Sequence, residues 1–130
     1  MFLRFLIGML FTAALFAGDI RLGGSLVGRV ESGGDVRIRG SLVGRFESGG
    51  SIRVKGSLAG SIESDGTIRK GGSIVGKVES DGAIRVGGSL RGKVESDGAV
   101  RKNGSLIGSA SGVTPAQAAC LFFFDFFDLN

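Results

Sequence analysis

Charged side chains that recur every 16 positions are the groups best placed to do chemistry in this 130-residue chain. A basic column consists of Arg37, Arg53, Arg69, Arg85 and Arg101. An acidic column consists of Glu31, Glu47, Glu63, Glu79 and Glu95, and beside it run Arg29, Arg45, Ser61, Lys77 and Lys93. Stacked in a regular array, the basic column could hold an anionic polymer or lipid head groups. The simpler interpretation is a solvated surface on which neighbouring columns balance each other's charge.

The residues needed for most catalytic and metal chemistry are missing. The chain has no His, and Cys120 is its only cysteine, so the commonest general base and an internal disulfide are both excluded. Residues 71–77 and 87–93 match the phosphate-loop spacing G-x-x-x-x-G-K, but Val78 and Val94 stand where a magnesium-binding Ser or Thr is needed. We therefore predict that the protein is not an enzyme and has no catalytic residue, metal site or cofactor.

The acidic residues Asp65, Asp81 and Asp97 each precede a glycine. Clustered carboxylates are the ligands that Ca²⁺ prefers, but Asp-Gly is also a favoured turn sequence. The calcium-binding nonapeptide pattern is absent, so we interpret these residues as turns.

A 16-residue repeat dominates the middle of the chain, with five units over residues 24–103 and a partial unit that ends at Gly112. Apolar, Gly and small residues fall mainly on even positions and charged residues on odd positions, which is the period of a β-strand. Three apolar columns are predicted to form the core and to carry polymerisation: Leu26/Leu42/Leu58/Ile74/Leu90/Leu106, Val30/Phe46/Ile62/Val78/Val94 and Val36/Ile52/Ile68/Ile84/Val100.

Two all-β architectures fit this pattern over residues 18–112. One is a single-stranded β-solenoid, or β-helix, of about six 16-residue turns with a triangular section. The other is an antiparallel meander with hairpin turns at the Asp-Gly, Gly-Gly and Asn-Gly pairs. We favour the solenoid, of either hand, because it encloses its apolar columns, whereas a lone meander would have uneven strands and one exposed apolar face.

Residues 1–17 form a separate apolar segment in which Arg4 is the only charge. The apolar run of 13 residues is shorter than the ~20 needed to span a membrane, and it ends at the small residue Ala17. We interpret the segment as a signal peptide, which predicts export to the periplasm or cell envelope. The alternative is an uncleaved hydrophobic anchor on a cytoplasmic protein associated with the inner membrane.

Residues 113–130 form a Phe-rich apolar tail. Thr114 as N-cap and Pro115 at the first helical position predict a short helix. The tail could cap the last turn of the solenoid, lie on a membrane or contact a neighbouring subunit, and Cys120 is expected to be a packed thiol. The predicted contact residues are Phe122, Phe123, Phe124, Phe126 and Phe127.

The run GSLVGRVESGGDVRIRGSLVGRFESGGSIRVKGSLAGSIESDG resembles a bactofilin domain, and the likeness extends over about residues 19–112. Bactofilins alternate Gly-x-(Ile/Leu/Val)-x-Gly-x-(Ile/Val) with (Ser/Ala)-x-Gly-x-(Val/Ile). The resemblance implies a β-helix whose subunits join end to end into filaments without nucleotide, as a bacterial cytoskeletal scaffold.

The expected function is therefore structural: a polymer-forming, bactofilin-like protein that self-assembles into filaments or a scaffold at the cell envelope. The alternative is an exported β-solenoid adhesion or binding module that holds an anionic polymer on its Arg column. Expected partners are other copies of the chain, an anionic envelope polymer, and a membrane contacted through residues 1–17 or the tail. Nucleic acid is not expected, because no aromatic residues interleave with the Arg column.

Overall fold

The computed structural model describes residues 18–130, so the predicted signal peptide or anchor at residues 1–17 lies outside it. The described chain consists of strands followed by one helix, α1 (Pro115–Phe122). Within these residues no helix is long and apolar enough to cross a membrane. The strands are β1 (Gly18–Leu22), β2 (Ser25–Val30), β3 (Asp35–Ile38), β4 (Ser41–Phe46), β5 (Ser51–Val54), β6 (Ser57–Ile62), β7 (Thr67–Lys70), β8 (Ser73–Val78), β9 (Ala83–Val86), β10 (Ser89–Val94), β11 (Ala99–Lys102) and β12 (Ser105–Ala110).

The strands form a closed antiparallel barrel. Each strand pairs with its neighbours in sequence, and β1 pairs with β12 to close the sheet. Each 16-residue unit supplies a six-residue strand and a four-residue strand rather than one turn of a coil. The predicted β-solenoid is therefore wrong, and the β-helix implied by the bactofilin resemblance is not the fold. The correct architecture is the antiparallel meander. Because the sheet closes into a barrel, the apolar face that a lone meander would expose lies inside it.

The connections between strands explain why neighbouring strands run antiparallel. At one end of the barrel, which we call the turn end, two residues join each pair of strands. In Arg39-Gly40 both have positive φ, 50° and 84°, which is the type I′ geometry of tight hairpins. At the other end, the loop end, the connections have four residues, as in residues 63–66, where the Gly66 amide donates to the Glu63 carbonyl over 2.9 Å. Both connections reverse the chain, whereas a solenoid needs parallel strands.

A β-bulge in each unit changes which side chains face inward. In β4, Gly44 lies opposite Val36 and Leu42 lies opposite Arg37, so Val43 is an extra residue in the longer strand. A bulge of this kind breaks the two-residue alternation. As a result Val43 packs against the core, and Leu42 points outward with 54% of its surface exposed.

The first apolar column therefore lies outside the barrel, contrary to the sequence prediction. Its members are 54–61% exposed: Leu26, Leu42, Leu58, Ile74, Leu90 and Leu106. The other two predicted columns line the interior: Val30, Phe46, Val78 and Val94 are buried with Val36, Ile52, Ile68, Ile84 and Val100, and Ile62 is partly buried against them.

The C-terminal tail lies inside the barrel. A twelve-stranded barrel is wider than its own wall side chains can fill. Helix α1 begins with a capping box between Thr114 and Gln117. Its four consecutive residues 118–121 are all buried, so the helix is surrounded on every side. The Phe residues that follow lie against the wall, so the tail is part of the core of this barrel.

Candidate functional site

The basic and acidic columns lie next to each other and pair one to one. Each Glu begins a four-residue loop, and the Arg six residues later lies in the next strand, so the chain reversal brings them together. The distances from Arg Nε to Glu Oε2 are 2.5–3.2 Å, and both side chains are 35–41% exposed. The pairs are Arg37–Glu31, Arg53–Glu47, Arg69–Glu63, Arg85–Glu79 and Arg101–Glu95.

Further contacts hold these guanidinium groups against the wall. Arg69 Nη1 donates to the Gly72 carbonyl at the turn end over 3.1 Å. Two arginines of the column beside the acidic one are also paired: Arg29 lies 3.5 Å from Asp19, and Arg45 Nε lies 3.8 Å from the Asp35 carboxylate. Because each Arg of the basic column has its own Glu partner, that column presents less net positive charge than the sequence suggests.

The Asp-Gly residues form turns, as the sequence analysis interpreted them. The carboxylate of Asp65 accepts a hydrogen bond from the Thr67 amide over 3.0 Å, and Asp81 and Asp97 repeat this contact with the amides two residues on. The Thr67 backbone donor stabilises the charged form and lowers the pKa of Asp65. Between residues 18 and 130, no three His, Cys, Asp or Glu side chains come together as a metal site would require.

The exposed aliphatic column encircles the barrel near the turn end. Each of its members lies opposite an Arg on the neighbouring strand, as Leu42 lies opposite Arg37 and Leu58 opposite Arg53. We call this ring of six outward Leu or Ile residues the collar; it consists of Leu26, Leu42, Leu58, Ile74, Leu90 and Leu106. Sequence reasoning missed it, although one signal was present: Val27 is an apolar residue at an odd position, which the bulge explains.

A cavity of about 600 Å³ opens at the turn end, between the barrel wall and the tail. Its walls are mainly apolar, and three charged side chains also line it: Lys55, Asp125 and Asp128. The sequence analysis did not anticipate it, because it arises only where the tail meets the wall. The apolar residues that line it are Leu22, Ile38, Val43, Val54, Ile107, Leu121, Phe122, Phe126, Phe127 and Leu129.

Basic side chains at the turn end hold the tail in place. Lys70 Nζ donates to the carbonyls of Phe124 and Asp125 over 2.9 and 3.0 Å, and it lies 5.2 Å from the centre of the Phe126 ring. Arg39 Nη2 donates to the Leu129 carbonyl over 2.7 Å. These contacts fix the tail where it borders the cavity.

Deep in the barrel, Cys120 is fully buried. Burial raises the pKa of its thiol to about 12, because a thiolate is poorly solvated in an apolar interior. The sequence expectation was a packed thiol, and the location of Cys120 gives it little nucleophilic character.

No family model matches the chain, and neither curated proteins nor solved structures give a significant match.

Proposed function

We propose that this chain is a structural protein that associates with copies of itself through the collar and forms a polymer without nucleotide or cofactor. The observation that supports the proposal is the sixfold recurrence of an exposed Leu or Ile at one level of the barrel. The apolar composition of residues 1–17 leads us to propose the cell envelope as the location.

Closure of the barrel changes how assembly would occur. In a solenoid, unpaired strand edges at the two ends could pair with the next subunit. Here β1 and β12 pair with each other, so the described sheet has no free edge. Contacts between barrels must then come from side chains on the outer surface, and the collar is the apolar part of that surface.

The repetition of the collar favours a polymer over a closed dimer. A single self-complementary patch is satisfied when two copies meet. Collar residues such as Leu26, Leu58 and Leu90 belong to different hairpins, so one barrel offers equivalent contacts in several directions. A subunit with several equivalent contacts can bind more than one neighbour at a time.

The energy of each contact is modest, and the number of contacts makes assembly possible. Complete burial of a Leu side chain stabilises by roughly 1.5–3 kcal/mol. The collar residues are 54–61% exposed, so a contact between barrels could bury roughly half of each one. Two or three such residues per contact give a weak dimer. A subunit held by several neighbours at once is retained far longer through multivalency.

The second candidate, an anionic polymer bound on the Arg column, has less support. All five Arg side chains of the column are paired with Glu, and binding of a polymer would have to compete with these pairs. Such binding predicts association that weakens steeply with salt, whereas collar-mediated association is largely retained.

The test is sedimentation velocity and negative-stain microscopy of the full chain over a range of protein concentrations. We expect concentration-dependent polymers, and we expect the triple variant Leu42→Gln/Leu58→Gln/Leu90→Gln to remain smaller. The matched control is Ser41→Gln/Ser57→Gln/Ser89→Gln, which changes exposed polar neighbours. Polymers of equal size in the collar variant, or a monomeric native chain at high concentration, would overturn the proposal.

A further inference from the structure

We propose that the cavity at the turn end is a binding site for a single-chain amphiphile with a zwitterionic head group, the chemistry of a lysophospholipid. The cavity has a volume of about 600 Å³, within the range of small-molecule sites. This proposal does not rest on self-association, because the cavity lies inside the wall and the collar lies outside it.

The lining of the cavity suits an alkyl chain. Leu22, Val43, Val54 and Ile107 point inward, yet each is only partly buried. Deeper in the barrel, Ile52 is fully buried. The tail thus leaves a strip of apolar wall uncovered next to the cavity, and an alkyl chain placed there would remove that surface from water.

Two lysines on neighbouring parts of the wall hold the tail beside the cavity. Lys70 lies over the Phe126 ring and binds the tail backbone, and Lys102 lies 6.0 Å from the centre of the Phe123 ring. Next to the cavity, the positions equivalent to these lysines are the shorter aliphatic residues Ile38 and Val54, and their side chains line it.

The charges around the cavity indicate the head group. Lys55 is an exposed cation on the wall side, and Asp125 and Asp128 are exposed anions on the tail side. A head group that carries both signs can place its phosphate near Lys55 and its ammonium near the two carboxylates. An anionic or cationic head would meet one favourable and one unfavourable partner.

Calorimetric titration of the full chain with dodecylphosphocholine, below its micelle concentration, tests the proposal. We expect one saturable site per chain and an affinity about tenfold higher than for dodecyl maltoside or dodecyltrimethylammonium. Each tenfold step corresponds to about 1.4 kcal/mol. Equal affinity for all three would overturn the head-group assignment, and no saturable binding would overturn the site.

Two neighbouring residues provide a matched pair of variants, because Val43 points into the cavity and Leu42 points out of the barrel. Val43→Trp should abolish binding, and Leu42→Trp should leave the affinity unchanged. If Val43→Trp does not fold, Ile107→Phe fills the same cavity from another strand. Loss of binding only in Leu42→Trp would place the detergent on the collar and overturn the proposal.

The charged residues give an independent readout. Lys55→Gln should lower the affinity for dodecylphosphocholine about tenfold without changing the affinity for dodecyl maltoside. The double variant Asp125→Asn/Asp128→Asn should do the same. Saturable binding only after proteolytic removal of residues 1–17 would assign the cavity to that apolar segment and overturn the amphiphile proposal.

Discussion

The ring of Phe124 lies directly against the backbone of Gly76. A Cβ atom at Gly76 would be 2.6 Å from both Cε1 and Cζ of this ring, closer than non-bonded atoms tolerate. The same contact recurs around the barrel: in each six-residue strand from β4 to β12, one glycine packs against one Phe ring of the tail. As the glycine number rises along the chain, the number of its Phe partner falls: Gly44–Phe127, Gly60–Phe126, Gly76–Phe124, Gly92–Phe123 and Gly108–Phe122.

We predict that Gly76→Ala destabilises the barrel by about 1–3 kcal/mol, the usual effect of forcing extra volume into a packed core. The added methyl would also press on the Arg85 carbonyl. Gly33→Ala is the control, since its Cβ would meet nothing within 4 Å. Urea unfolding followed by circular dichroism measures both, and equal midpoints for the two variants would contradict the close packing.

Removal of the tail should abolish cooperative folding. A chain that stops at Gly112 loses five Phe side chains that contact the wall, and three of them are buried. Each buried Phe stabilises by about 3–5 kcal/mol relative to Ala, so the loss is as large as the total stability of a typical small domain. We expect no cooperative thermal transition in circular dichroism. A chain that stops at Phe127 keeps all five rings and should still unfold cooperatively.

Cys120 should make stability decrease at alkaline pH. Its pKa is raised by burial to about 12 in the folded protein. Above the ordinary thiol pKa the unfolded chain loses this proton and the folded protein keeps it, so the unfolded state becomes favoured. The free energy of unfolding should fall by about 1.4 kcal/mol per pH unit above about pH 9.

The control for this effect is Cys120→Ala, which should lack that slope between pH 9 and 10. The chain has no His and no Tyr, so neither of these residue types contributes to the pH dependence. Thiol labelling should likewise be slow in the native protein and fast in urea. An identical pH slope in both proteins would show that the thiol is not buried as described.

Exchanging residues between two equivalent turns should change stability in opposite directions. Lys55 and Asn103 both have positive φ, 52° and 51°, a conformation that Asn tolerates better than Lys. Lys55→Asn should raise the free energy of unfolding by about 0.5–1 kcal/mol, and Asn103→Lys should lower it by a similar amount. Changes of the same sign in both would argue against type I′ turns at these positions.

A single surface ion pair should contribute little to the free energy of unfolding. Glu79→Gln removes one partner of a 2.9 Å contact between half-exposed side chains. We expect a loss of about 0.2–1 kcal/mol, smaller in 1 M NaCl because salt screens exposed charges. A double-mutant cycle with Arg85→Gln isolates the pair, and a coupling above that range would show that the pairs act as a network.

The period-two pattern could not distinguish the two β architectures, because coils and meanders place alternate residues on the same face. The decisive signals were the connections. Gly71-Gly72, Gly87-Gly88 and Asn103-Gly104 are tight hairpin turns, and the Asp-Gly pairs lie in wider loops at the opposite end. The objection to a meander is uneven strand length. The strands are indeed uneven, with six and four residues, and the bulge lets a longer strand pair with a shorter one by leaving one residue, such as Val43, without a partner in the register.

The sequence by itself determined that residues 18–112 form β structure, that the Gly-Gly, Asn-Gly and Asp-Gly pairs are candidate turns, and that α1 begins at Pro115. These properties depend on local alternation, φ preferences and capping, which act over a few residues. Only the tertiary structure decided that the sheet closes, that Leu42 and its equivalents point outward, and that the tail enters the lumen. Those outcomes depend on the shift of register at each bulge and on the fit of Phe rings to glycines distant in sequence.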